Sequence, residues 1–180
     1  MSSNSDTTKA DPELQLVIRP SAELSEYEHW QVRSWQAQTF DLSEEFATVD
    51  WYVFGIRAGK WVSMLELTQR TAIVDQQPIE VALIGSVVTV PQWRGQGYAS
   101  AVLQHATSFF CQQRGVAFGL LLCMDGVVSF YERQGWQRVL EPLFYDQPSG
   151  KVRSDQNTMV YACHNQVWPQ GMIDLCGLPL

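Results

Sequence analysis

The chain has 180 residues, 46% of them hydrophobic, and 12 Lys and Arg against 19 Asp and Glu give a net charge of −7. That length and apolar share support one domain with a substantial core, while the negative charge disfavours nucleic-acid binding and suits a cationic amine. No apolar run approaches the roughly 18 residues of a membrane helix and no signal-peptide core stands near the start, so a cytoplasmic location without a membrane partner is expected.

Residues 1–12 are polar and rich in Ser, Thr and Asp, which predicts a disordered tail ahead of a single domain over residues 13–180. Leu14 to Arg19 reads as a strand, and Ser21 to about Gln38 reads as a helix carrying Trp30 and Trp35. The connection Phe40-Asp41-Leu42-Ser43-Glu44-Glu45-Phe46 sets aromatics beside carboxylates. Trp35 and Phe40 offer apolar faces there, and Asp41, Glu44 and Glu45 offer charges for ammonium groups; the same stretch also reads as a solvated charge cluster. Strands follow at Tyr52 to Ala58 and Trp61 to Gln69, joined by the Gly59-Lys60 turn. Glu66 lies in the second, otherwise largely apolar strand, where a buried carboxylate requires a partner.

A long strand is expected from Ile79 to Val90. Its β-branched run ends in Pro91-Gln92-Trp93-Arg94-Gly95-Gln96-Gly97, and a helix is expected from Tyr98 to Arg114. Gly95 and Gly97 remove the Cβ atoms that would keep a ligand from the backbone N–H groups, and the helix N-terminus favours an anion. The next strand, Phe118 to Cys123, leads through Met124-Asp125-Gly126 into a helical segment bearing Phe130-Tyr131-Glu132-Arg133-Gln134-Gly135-Trp136. Met159 to His164 reads as a late strand. The apolar, aromatic end from Trp168 to Leu180 is expected to pack on the body or at a subunit interface, so a homodimer stays open. Cys111, Cys123, Cys163 and Cys176 form no Cys-x-x-Cys pair and no zinc spacing with His29, His105 or His164; reduced structural thiols and no metal are expected.

The Arg94-x-x-Gly97-x-Ala99 loop, followed by strand, helix and Phe-Tyr-x-x-x-Gly-Trp, resembles the acyl-CoA signature of the GNAT acetyltransferase superfamily over about Val81 to Val139. The resemblance implies an α/β (α+β) fold with a central mixed, mostly antiparallel sheet, splayed at the acyl-CoA site and flanked by helices. It also implies acetyl-CoA as co-substrate. Arg94, Gly95, Gln96, Gly97, Tyr98, Ala99 and Ser100 would surround its pyrophosphate, and main-chain groups of Val88 and Val90 would pair with the pantetheine arm. Tyr131 takes the family's place for the general acid that protonates the departing thiolate, with core packing as the alternative role.

Many relatives carry a Glu on the strand before the loop, but Ala82-Leu83-Ile84-Gly85-Ser86-Val87-Val88 has no carboxylate. The base therefore stays open among Asp125, which otherwise caps a helix, Glu80 acting through water, Glu66, and ordered water with a backbone carbonyl. Cys123 is a less favoured nucleophile for a two-step transfer, because no neighbouring His activates it. The Trp-rich helix, the Phe-Tyr-x-x-x-Gly-Trp block and Trp168-Pro169 are similar to the aminoglycoside 2'-N-acetyltransferase branch, kasugamycin-modifying members above all. That narrower likeness implies direct acetylation of an aminoglycoside amine and antibiotic resistance. Another small amine, a protein N-terminus, or a non-catalytic acyl-CoA-binding module are the alternatives.

Overall fold

The computed structural model describes residues 13–40 and 43–180, so the expected tail over 1–12 and Asp41 lie outside the described residues. The first strand, β1 (Leu14–Pro20), is followed by a single 3-10 turn at Ser21–Glu23 and then by α1 (Glu26–Ala37). The helix starts later than the sequence pattern suggests because Ser25 caps it. The Ser25 hydroxyl accepts from the Glu28 N–H and the Glu28 carboxylate accepts from the Ser25 N–H, a reciprocal box worth about 1 kcal/mol. These contacts and Arg19 hold the Glu28 carboxyl down at about 2.

β2 (Trp51–Arg57), β3 (Lys60–Val74) and β4 (Gln77–Thr89) form an antiparallel meander. β3 runs five residues beyond Gln69 because Asp75 and Gln76 both adopt left-handed backbone, φ 45° and 68°, which makes a tight hairpin turn of a twist that suits paired strands. After α2 (Tyr98–Phe109) come β5 (Phe118–Cys123), α3 (Val128–Arg133), β6 (Gln137–Val139), the hairpin β7 (Leu143–Gln147) and β8 (Gly150–Arg153), β9 (Asn157–Ala162) and β10 (Ile173–Asp174).

The strands form one mixed sheet in the order β6-β9-β5-β4-β3-β10-β7-β8, with β1 and β2 branching from β3. β3 is long enough to share one edge between two neighbours, β2 along Lys60–Leu67 and β10 at Ile73–Val74. α2 lays Val102, Leu103 and Ala106 on one face of the sheet against Val53, Leu65, Leu67 and Ile84. α1 covers part of the other face, where Val32 packs with Tyr52, Phe54, Met64 and Val88. Full burial of such side chains contributes about 1.5–3 kcal/mol each before the entropy of ordering them is set against it.

Two expectations require correction. The helix expected to reach Arg114 is α-helical only to Phe109; Phe110–Arg114 is a wider π turn that ends at Gly115, whose φ is 67°. That turn brings Cys111 to the end of β9, where the Cys163 N–H donates to the Ala117 carbonyl, and Cys111 and Cys163 form a disulfide instead of two thiols. Their 52-residue separation hides a neighbourhood that only the β5–β9 pairing creates. Cys123 and Cys176 are free thiols. The C-terminal segment packs on the body, entering the sheet as β10 between β3 and β7.

Candidate active site

The site is built where β4 and β5 part. The two strands are paired in parallel only from Val81 opposite Phe118 to Ile84 opposite Leu121, after which β4 continues to Thr89 alongside β3 alone. The departure has a local cause. Met64 faces Val88 and Glu66 faces Gly85, so Ser86 and Val87 together stand opposite the single residue Leu65. Such a bulge bends the strand that carries the extra residue. Ser86 pays for it with left-handed backbone, φ 49°, and its hydroxyl accepts from Gln36 Nε2 of α1 at 2.8 Å.

Beyond Thr89, a 3-10 turn at Pro91–Trp93 carries the chain into the loop and α2. Gly97 is the N-cap of α2 with φ 83°, a conformation that disfavours residues with a Cβ. Because glycine has no capping side chain, the first amides of the helix are left to a ligand. Arg94 Nε donates to the Thr89 carbonyl at 3.0 Å, holding the arginine against the strand end.

Arg94, Gly95, Gly97, Tyr98, Ala99 and Ser100 line a cleft of about 500 Å³ that extends to Val127, Phe130 and Tyr131 of the α3 region. Gln96 is turned back, its Nε2 on the Gln92 carbonyl at 3.4 Å and its Oε1 near the Tyr98 hydroxyl. The main chain of β4 is also offset from expectation. The Val88 carbonyl accepts from Ser63 Oγ and the Val90 N–H donates to Val62, both on the β3 side, while Val87 and Thr89 line the cleft.

Tyr131 is 7% exposed, edge-on to Phe130 and Trp136. Burial, with the nearby Cys123, pushes its phenol above the ordinary value and keeps it protonated, the state a general acid requires. Burial likewise pushes the Cys123 thiol up to about 11, which leaves it a poor nucleophile.

The other predicted site residues are dispersed. Asp125 follows β5 and accepts from Asn157 Nδ2 at 2.8 Å, a contact that ties the end of β5 to β9. Glu80 is hydrogen-bonded to Thr71 on an exposed part of β4, about 16 Å along the strand from Gly85. Glu44 accepts the Tyr145 hydroxyl at 2.9 Å, and the main chain of Glu45 exchanges two hydrogen bonds with the Gln147 side chain, so this connection is docked on β7. Trp35 stands edge-on to Trp61, and Phe40 is exposed. Glu66 is 5% exposed, and Gln36 Nε2 donates to its Oε1 at 2.9 Å. Gln36, Ser86, Val87 and Thr89 had no distinguishing sequence signal; the bulge and the fold bring them to the site.

The sequence profile of the acetyltransferase (GNAT) domain matches residues 22–139, well over half of the chain. The chain belongs to the GNAT acetyltransferase family. Its fold is that of solved members at low identity. An Escherichia coli GNAT-family N-acetyltransferase, YhbS, in complex with CoA is 16% identical with a TM-score of 0.64, over 93% of each chain. A Pseudomonas aeruginosa acyl-CoA N-acyltransferase is 18% identical with a TM-score of 0.59, over 83% of this chain and 99% of its own. Arabidopsis thaliana NAA60 in complex with a bisubstrate analogue is 10% identical with a TM-score of 0.61, over 84% of this chain and all of its own. No curated protein matches the sequence.

The cleft of this acetyltransferase fits an acyl-CoA. It joins uncapped helix amides and Arg94, suited to a pyrophosphate, to a protonated phenol at the splay of β4 and β5. Among the described residues no helix is long and apolar enough to cross a membrane, and no group of three His, Cys, Asp or Glu is arranged to hold a metal ion.

Proposed function

We propose that this acetyltransferase moves the acetyl group of acetyl-CoA directly onto a primary amine of a small molecule, with an aminoglycoside of the kasugamycin type as acceptor. The cleft joining Arg94–Ser100 to Tyr131 carries the transfer reading. The amides at the start of α2 and Arg94 bind the pyrophosphate. Val87 and Thr89 flank the pantetheine arm along the bulged strand, and Tyr131 protonates the sulfur as the carbon–sulfur bond breaks. When bound, the coenzyme supplies an acyl thioester, so the protein contributes orientation, a proton donor and a means of neutralising the amine.

The acceptor assignment rests on the sequence likeness to the 2'-N-acetylating branch, together with the net charge of −7 and the exposed Glu45 beside Phe46 in the α1–β2 connection. Glu44 is committed to Tyr145, which leaves Glu45 and Glu66 as the described carboxylates available to ammonium groups on this side. Thiol release from acetyl-CoA in the presence of kasugamycin, gentamicin, spermidine or a short peptide, with mass spectrometry of the product, tests the reading. An acetylated aminoglycoside is expected. Product from spermidine or the peptide alone overturns the acceptor assignment, and no product from any amine overturns the transfer itself. Tyr131→Phe is expected to lower kcat about 100-fold while the Kd for CoA stays within about threefold; an unchanged kcat removes the phenol from the proton transfer.

A further inference from the structure

Tyr131 and the loop account for one face of the sheet. Tyr131 belongs to the same buried cluster as Leu65, Leu67 and Ile84 on the α2 face, and beyond Ile84 and Leu121 β4 and β5 are no longer paired. On that second face lies Glu66, the one buried carboxylate among the described residues. Its side chain points away from Leu65 and Leu67 and towards α1. It faces Tyr52 across β2 and Gly85 across β4, immediately beside the bulge that separates β4 from β5.

Glu66 is held but not neutralised. Gln36 Nε2 bridges its Oε1, at 2.9 Å, and the Ser86 hydroxyl, at 2.8 Å, and Tyr52 stands opposite it on β2. No Lys, Arg or His forms an ion pair with it among the described residues; of the basic groups of α1, Arg33 lies near Tyr52 and His29 packs edge-on to the Tyr52 ring. A carboxylate buried without a cation is a standing penalty for the fold, and an ammonium brought by a ligand would offset it. Beside it, Gly85 presents bare backbone. Leu180 lies over that glycine so closely that a Cβ there would come within 2.8 Å of the Leu180 main-chain carbonyl carbon and Cβ and 3.1 Å of its carbonyl oxygen.

Resting on the acetyl-transfer reading above, we propose that Glu66, reaching from β3 across Gly85 and aimed by Gln36, binds the acceptor's ammonium and takes its proton, replacing the carboxylate that β4 lacks. The acid and the base then stand on opposite faces of one gap. One N–H proton of the ammonium passes to Glu66, and the freed lone pair attacks the thioester carbon to form the C–N bond. The C–S bond breaks, sulfur takes the phenolic proton of Tyr131, and the second nitrogen proton leaves to solvent, from which the phenolate is reprotonated. The acceptor is thereby a primary amine that arrives protonated and is threaded from the α1 side.

Steady-state kinetics of Glu66→Gln and Glu66→Asp with acetyl-CoA and three probe amines, kasugamycin, spermidine and a lysine-bearing peptide, test this. At pH 7 the Gln variant is expected to lose about 100-fold or more in kcat/KM for the amine, with KM for acetyl-CoA within twofold. The deficit should shrink as pH approaches the amine's own pKa, because an amine that arrives neutral needs no base. Glu66→Asp should retain an intermediate rate and a wild-type profile, and it carries the test if the Gln variant fails to fold. A Gln variant with wild-type kcat/KM and pH dependence overturns the role, as does a loss of rate in either variant that pH does not restore. A wild-type enzyme inactive on all three amines overturns the transfer reading, and the role of Glu66 with it.

Discussion

At the scale of single residues, the proposed transfer depends on two groups whose pKa values are raised by burial. Tyr131 and Glu66 are both pushed towards their neutral forms by desolvation, one as a phenol that retains its proton and one as a carboxylate ready to receive one. The same burial makes Glu66 a liability for stability. Its carboxyl lies above the ordinary 4.5 in the folded chain, so the fold holds its proton more tightly than the unfolded chain does. Stability from this group is therefore complete below the unfolded value and is lost as pH rises towards the folded one. Glu66→Gln removes that loss. Its Tm is expected to match the wild type near pH 4 and to exceed it increasingly towards pH 7, as thermal melts across that range will show; a Tm that falls at neutral pH would mark Glu66 as structural support. The gain in stability together with a loss of turnover is the pattern of a residue kept for function.

At the scale of elements, the strand, loop and helix that line the cleft were legible in the sequence as one contiguous unit, whereas the gathering of Gln36 and Ser86 around Glu66 was not. The strand, the Arg94–Ser100 loop and the start of α2 are contiguous, and their chemistry depends on the backbone freedom that Gly95 and Gly97 announce. Gly97→Ala forces a Cβ into left-handed backbone at the helix start, at a cost of roughly 1–2 kcal/mol. Relief of that strain tilts the first amides away from the pyrophosphate, so CoA binding measured by calorimetry is expected to weaken about tenfold; undiminished affinity would mean that these amides do not carry the contact. The Glu66, Gln36 and Ser86 group comes instead from β3, α1 and β4, and it is assembled by a bulge that reflects pairing register, which composition does not encode. On β4 it is Val87 and Thr89 that line the cleft, while the Val88 carbonyl and the Val90 N–H are turned to β3. The hairpin β7–β8 and the two-residue β10 escaped notice because short strands carry too few alternations to stand out.

At the scale of the whole molecule, two long-range ties fasten segments distant in sequence to the sheet. The first is the C-terminal segment. The Gly177 carbonyl accepts from Asp146, the Leu178 carbonyl from Arg70 and the Pro179 carbonyl from Ala47, so one stretch binds β7, β3 and the α1–β2 connection beneath the acceptor face. The second is the Cys111–Cys163 disulfide, which fastens the end of α2 to the end of β9 on the far side of β5. The two ties act at different places: the segment supports the acceptor wall, whereas the disulfide lies under the helix that presents its N-terminus to the coenzyme. Closing a loop of 52 residues restricts the unfolded chain by about 4 kcal/mol at 25 °C. For a domain of this size that corresponds to a fall in Tm of about 8–16 °C on reduction. The expected result is a Tm lowered by that amount in dithiothreitol and in Cys163→Ser alike, with dithiothreitol adding no further loss to the variant. If wild type melts at the same temperature in both redox states, the two sulfurs are not bonded in solution, and α2 is held on the sheet by the packing of Val102, Leu103, Ala106 and Phe110 alone.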